Sequence, residues 1–392
     1  MTASIPQKYT FFTLVVLARP ALTAFFAMGL VWGGFAACLP QIKAALNVHE
    51  GTLGLLMMGT PLAGVLAIAM APVIAPLLGR FSLPLSVFFL AIAASLVGLS
   101  HNLAVFAGAM MLLGAATGNA DVLMNARVSM MENQTGTSLM NLSYATYSLG
   151  MAVGAVLVGM VRMLEFSLSD IFAIIAILTA LWGALSYEEH GQITGLSASK
   201  TEGQSPNLGL LPYVGGFVVM IAFLSENATE SWSALHIEQT LGGSAQEGSF
   251  GPATLALTMV VARLAGQGLL TKISELKLLM AGALIAAFGA LIVATAQTAF
   301  AAYGGFVTVG VGASVISPTA LTMVGRLATP HNRARAVARA TMLGYFGFFF
   351  GPPAVGLIAH LFGLRAAYLA TAFALSMVII LAPLLIKLGR KI

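Results

Sequence analysis

The chain has 392 residues, 59% of them hydrophobic and 8% charged, with a mean hydropathy of +0.94. Soluble domains carry about 25% charged residues, and 18 Lys and Arg with 13 Asp and Glu cannot clothe a 40.5 kDa globule in water. That composition excludes a soluble enzyme, a disulfide scaffold and a disordered chain, and it leaves a polytopic membrane protein.

A helix rises about 1.5 Å per residue, so about 20 apolar residues cross a 30 Å hydrocarbon layer. Residues 9–17 are apolar but too short to cross. Arg19-Pro20 follows where a cleavable leader would carry small residues, so this segment lies at the interface or extends the first run. Twelve long runs then succeed one another: 21–41, 53–78, 83–99, 103–128, 139–163, 171–185, 211–235, 253–270, 276–294, 299–327, 336–362 and 364–388. They are unbroken and lack the period-two alternation of barrel strands, so they predict transmembrane α-helices. Cys38, in the first run, is the only cysteine, which excludes an intrachain disulfide and a cysteine metal cluster.

The polar stretch 188–207 divides the runs six and six. It predicts a bundle over 1–187, a cytoplasmic linker over 188–210 and a second bundle over 211–392. With the N-terminus inside, only Lys43, Arg162 and Arg365 of the 18 Lys and Arg fall outside. That bias places both termini in the cytoplasm of an inner-membrane protein. Gly150, Gly154 and Gly159 in the fifth run reappear as Gly347, Gly351 and Gly356 in the eleventh, every one offset by 197 residues. Chance could align three of 42 glycines, but their matching place in the two halves favours an internal repeat. Six-plus-six repeats build one large class of transporters, which bind solute between the halves.

A carboxylate at the centre of a membrane helix costs about 2.5–3.5 kcal/mol on insertion scales and asks for a reason. Three acids fall well inside runs: Asp121, Glu226 and Glu230. Asp121 lies in Asn119-Ala-Asp121-Val-Leu-Met-Asn125, and Asp121 and Asn125, one turn apart, share a face. A carboxyl there without a cation suits proton uptake and release; the alternative is a structural hydrogen bond to a neighbouring helix. Glu226 and Glu230 sit in Ser225-Glu-Asn-Ala-Thr-Glu-Ser-Trp232-Ser, too polar for lipid, so this segment is expected to line a water-filled cavity. Trp232 offers a stacking face for a solute, or else an interfacial anchor. Asn141, Tyr144 and Ser148 form a polar stripe at helical spacing, and the tenth run holds Ser314, Ser317, Pro318, Thr319 and Thr322. Arg263 and Arg326 fall towards cytoplasmic ends, so no cation is placed for an anionic solute, and neutral or cationic solutes fit better. The basic residues are scattered singly, which argues against nucleic acid. No HExxH, G-x-S-x-G or P-loop is present and the six histidines do not cluster, so no enzyme, metal or cofactor is expected.

At these residues the sequence resembles the major facilitator superfamily, and within it the MosC/YbjJ-like branch related to fucose permease. The resemblance rests on Gly33, Ala36-Ala37, Pro40 and Ile42-Lys43; on Asp121-Val122 and Met124-Asn125-Ala126; and on Ser148-Leu149-Gly150. It continues with Glu226, Trp232-Ser233-Ala234-Leu235, Leu343-Gly344-Tyr345, Gly347-Phe348 and Gly351-Pro352-Pro353. It implies alternating access without ATP and a proton-coupling acid at Asp121. Asn119, Asn125, Asn141, Tyr144, Ser148, Trp232 and Tyr345 are expected to bind the substrate. Where the family carries an acidic and basic gating signature, 75–83 keeps only Arg80, so the usual inward gate is altered. Cys38 and Tyr144 replace the branch's usual Arg and His, which points to a changed specificity. The fifth run lacks the Gly-Pro signature of drug/proton antiporters, which favours uptake.

The expected activity is proton-coupled symport of a small neutral or cationic polar solute, such as a sugar, polyol or amino-polyol. Its partners would be solute, protons and the bilayer, and the expected state is a monomer. The alternative is an efflux antiporter in which Glu226 or Glu230 binds a cation or a proton in competition. A sensor without transport is disfavoured by the lack of any appended domain in the sequence.

Overall fold

The computed structural model describes residues 11–193, 209–269, 273–329 and 332–389. Residues 194–208 of the predicted linker lie outside them, as do Lys8, Lys200, Lys272, Arg390 and Lys391 of the orientation argument.

The described residues form helices α1 (Phe11–Leu46), α2 (Glu50–Met57), α3 (Gly59–Leu78), α4 (Ser82–Gly98), α5 (Leu103–Thr135) and α6 (Met140–Met163). Then come α7 (Leu168–Leu185), α8 (Leu211–Leu235), α9 (Ala245–Leu269), α10 (Glu275–Thr295), α11 (Ala299–Leu327) and α12 (Arg333–Gly389). Among the described residues every predicted run lies on a helix to within a residue at its ends. The described part of 9–17 is about the first two turns of α1, so it extends the first run. The second run is interrupted at Met58, between α2 and α3. The last two runs form a single 57-residue stretch broken at Gly363, whose φ of 84° and ψ of 162° suit a residue without a Cβ. Among the described residues nine stretches are long and apolar enough to cross a membrane, two of them 49 and 55 residues long and able to cross twice. Large apolar side chains such as Val73, Phe373 and Ile380 are 68%, 70% and 76% exposed, as expected of a surface that meets lipid. The protein is an all-α polytopic membrane protein.

Local chemistry sets the ends. Asn102 accepts from the Val105 N–H at 3.0 Å and starts α5. Ser167 and Asp170 form a reciprocal capping box at α7. Thr298 accepts from the Ala301 N–H at the head of α11.

The chain packs as two compact units. The first comprises residues 1–34, 59–154 and 165–199, and the second 35–58, 155–164 and 200–392. The ends of α1 and α6 and all of α2 thus pack in the second unit, although they belong to the first half of the sequence.

Without water to drive helices together, packing in a bilayer relies on small residues that let backbones approach. Within the first unit, a Cβ at Gly150 would lie 2.2 Å from the Phe26 carbonyl oxygen and one at Gly154 2.3 Å from that of Leu30. Within the second, a Cβ at Gly347 would lie 2.3 Å from the Met220 carbonyl oxygen. The matched pair Gly150 and Gly347 therefore does the same work in the two halves, seating α6 on α1 and α12 on α8. Gly150→Ala and Gly347→Ala are each expected to cost about 1–3 kcal/mol by overpacking, read as a lower thermal midpoint of the purified protein. Gly304→Ala, with nothing within 4 Å of the added methyl, should leave the midpoint unchanged or raise it.

Candidate functional site

In the first unit, α5 and α6 bring three polar side chains together. Asn125 Nδ2 donates to Asp121 Oδ1 at 3.0 Å and to the Asp121 carbonyl oxygen at 2.8 Å, so the turn folds back on the acid. Tyr144 Oη, from α6, donates to Asn125 Oδ1 at 3.2 Å, and the Tyr144 ring meets Phe25 edge-on at 5.4 Å. Among the described residues no Lys or Arg forms an ion pair with Asp121. Arg127, six residues on, is held by Glu188 instead. Asp121 and Asn125 are half-buried, whereas Tyr144 is 39% exposed. Asn141 is half-buried and Ser148 buried, one turn either side of Tyr144. Asn119 is half-buried too but, two residues from Asp121, does not share its face. The sequence indicated the pairing of Asp121 with Asn125; the link to Tyr144 depends on how α5 and α6 cross and was not legible.

In the second unit, α8 presents Glu226 and Glu230 one turn apart. Arg263 Nη2 donates to Glu226 Oε1 at 3.1 Å. Arg263, which the sequence puts towards a cytoplasmic end, is thus paired with an acid inside α8. Its long apolar stem carries the guanidinium well away from its own Cα, so the acidic face of α8 holds two carboxylates and one cation. No ion pair joins Glu230 to a described residue.

The expectation of a water-lined segment also changes. Ser225 and Thr229 are buried and donate to the carbonyls of Ile221 and Ser225, at 2.7 and 2.9 Å. Ser231 and Ser233 are buried as well, leaving Glu226, Asn227 and Glu230 as the half-accessible polar groups. Trp232 has no exposed surface and packs where a Cβ at Gly356 would lie 3.1 Å from its Cη2, so it offers no open stacking face. Tyr345, 46% exposed, stands beside Phe223 and Phe348 with ring centres 6.0 and 6.3 Å apart. On α11, Ser314 and Thr322 bond their own helix's carbonyls.

Arg80 finds aromatic partners rather than an acid, its guanidinium lying 5.2 Å from the Phe81 ring centre and 5.9 Å from that of Tyr187. Cation–π contact with two rings holds the Arg80 guanidinium in place. His49 and His360, far apart in sequence, stack at 4.5 Å, a pairing the sequence could not indicate. Among the described residues no group of three or more His, Cys, Asp and Glu could hold a metal ion.

The family model for the Major Facilitator Superfamily matches residues 215–391. An uncharacterized MFS-type transporter of Yersinia pestis is 31% identical over 350 residues, covering 88% of this chain and 89% of that protein. The chain belongs to the major facilitator superfamily. It is accordingly a transporter and not an enzyme. The membrane protein MosC of Rhizobium meliloti is 26% identical over 354 residues, covering 88% of this chain and 84% of MosC. Among solved structures, a mutant of the nucleoside transporter NupG matches with a TM-score of 0.73 at 14% identity, covering 95% of this chain and 99% of that one. The fucose:proton symporter of E. coli, also a mutant, matches with a TM-score of 0.60 at 16% identity, covering 95% and 98%. At such identities these structures share the superfamily fold, and they say nothing of the solute.

Proposed function

We propose that this superfamily member is an inner-membrane symporter that takes up a small neutral or cationic polar solute with a proton by alternating access. Both termini lie in the cytoplasm, and the bundles 1–187 and 211–392 are the moving halves. The observation that carries the reading is the Asp121–Asn125–Tyr144 chain. It holds an intramembrane carboxyl by hydrogen bonds with no basic partner among the described residues, as a group that must gain and lose a proton each cycle requires. The solute class follows from charge. The one guanidinium on the α8 face is engaged by Glu226, so among the described residues no free cation stands there to hold an anion, and neutral or cationic groups fit better.

Asp121 is the proton carrier in this reading, with Glu226 and Glu230 as the remaining acids on the path. In the first unit Asn119, Asn125, Asn141, Tyr144 and Ser148 are solute contacts and Arg80 belongs to the gate; in the second, Tyr345 is a solute contact and Trp232 has a packing role. The protein works as a monomer.

The test is current from proteoliposomes on a solid-supported membrane, with neutral sugars, polyols, amino-polyols and organic amines applied in turn. An inward positive current with a neutral solute is expected. Solute entry that drives protons outward would overturn symport in favour of efflux antiport. Tyr144→Phe, which removes one hydrogen bond worth about 1 kcal/mol, is expected to lower the rate about fivefold at unchanged folded yield.

A further inference from the structure

The α8 helix does not end in an ordinary cap. Beyond Leu235 the backbone widens into five π-helical residues, His236–Thr240. The Leu241 N–H donates to the His236 carbonyl at 3.2 Å and the Gly243 N–H to that of Ile237 at 2.9 Å. A π-turn holds one residue more than the α-turn it replaces, and such turns gather at functional sites.

Here the extra residue aims two neighbouring side chains at two basic ones. Glu238 takes both terminal nitrogens of Arg162, Nη1 to Oε1 at 2.6 Å and Nη2 to Oε2 at 2.9 Å. Arg162 Nη1 also donates to the Ala37 carbonyl at 2.9 Å. Gln239 accepts from Lys43 Nζ at 2.7 Å, and Lys43 donates to Glu50 at 2.6 Å as well. Two consecutive residues of the turn thus tie down the ends of α1 and α6 and, through Lys43, the head of α2. The Arg162 and Glu238 side chains are only 8% and 15% exposed, so water screens the pair little.

The turn is itself anchored. His236 is buried, with Nε2 hydrogen-bonded to the Val293 carbonyl at 3.2 Å and its ring 5.0 Å from that of Tyr368. Around it, helices meet at glycines. A Cβ at Gly159 would lie 1.9 Å from Ser249 Oγ, and one at Gly54 or Gly356 would lie 2.5 Å from the carbonyl oxygen of Pro352 or Glu50. These close contacts hold one spacing and are lost together when it changes.

We propose that His236–Thr240 is a gate latch: Glu238 and Gln239 hold this end shut, and release of Arg162 and Lys43 opens it. All the groups lie within the second unit, yet α1, α2 and α6 come from the first half of the sequence and the turn from the second. A carrier with alternating access has to part such contacts in each cycle. Rewinding the turn as α-helix would rotate Glu238 and Gln239 by about 100° for the residue displaced, away from both partners. Glu230 stands eight residues before Glu238, about 12 Å along the helix axis, so the acidic face of α8 and the latch share one rod.

The test reads conformation and not transport. In full-length protein in nanodiscs carrying Cys38→Ala, Ser249→Cys places a thiol where the native side chain has 0% exposure against Gly159. Its labelling rate by a polar maleimide reports opening. Glu238→Gln is expected to speed labelling about tenfold and Gln239→Leu about threefold. Arg162→Glu combined with Glu238→Arg should return the rate close to the parent's. Only monodisperse protein is compared, and if Glu238→Gln yields none, the milder Gln239→Leu decides. Labelling at the parental rate in the single variants, or a charge swap as fast as Glu238→Gln, would overturn the latch.

Discussion

Asp121→Asn is expected to abolish uphill accumulation of solute while leaving downhill movement intact. The substitution is nearly isosteric, and the new amide can still accept a hydrogen bond from the Asn125 amide that reaches Asp121 Oδ1 at 3.0 Å. No described Lys or Arg pairs with Asp121, so neutralising it strands no buried cation, and the folded yield should hold. What is lost is the proton. An inward potential contributes about 2.3 kcal/mol per charge per 100 mV, a gradient of roughly fifty-fold for one proton. Accumulation in proteoliposomes under an imposed potential should fall from that ratio to unity, whereas counterflow, which needs no net proton movement, should persist. A variant that still accumulates solute against its gradient would remove Asp121 from coupling and leave Glu230, the acid of α8 without an ion-pair partner among the described residues, as the next carrier.

How much of this was legible in sequence depended on whether the signal was local. Hydropathy has a range of one helix, so among the described residues the runs fall on helices to within a residue at their ends, and the break at Gly363 is where the last two meet. The 197-residue glycine offset was equally legible, and at Gly150 and Gly347 a close backbone contact gives the physical requirement for a small residue. The pairing of Asp121 with Asn125 follows from helical spacing alone. Contacts between helices were not legible. Arg263 was placed by the position of its Cα, and nothing in the sequence says that its guanidinium reaches Glu226. The polarity of 225–233 was correctly seen but assigned to water, whereas most of its hydroxyls are buried and the two on Ser225 and Thr229 are satisfied by carbonyls one turn back. The partners of Glu238 and Gln239 lie 76 and 196 residues away, beyond any periodicity.

Arg263→Met is expected to destabilise the protein by about 2–3 kcal/mol, and Glu226→Gln added to it to restore most of that loss. The Arg263 and Glu226 side chains are 20% and 14% exposed, between a surface pair worth about 0–1 kcal/mol and a fully buried one whose breaking costs about 3–5 kcal/mol. Most of the cost is not the lost attraction. It is the Glu226 carboxylate left mostly buried with no cation, a penalty the second substitution removes. Thermal midpoints of the two single variants and the double variant in one detergent measure the coupling directly, and equal losses in Arg263→Met and the double variant would refute it. The same double variant separates the two acid clusters. With Glu226 and Arg263 both neutral and Asp121 untouched, a neutral solute should still drive an inward positive current. Loss of that current at unchanged folded yield would place the proton on α8 rather than α5, and the ion pair, not the hydrogen-bonded aspartate, would be the group that titrates during transport.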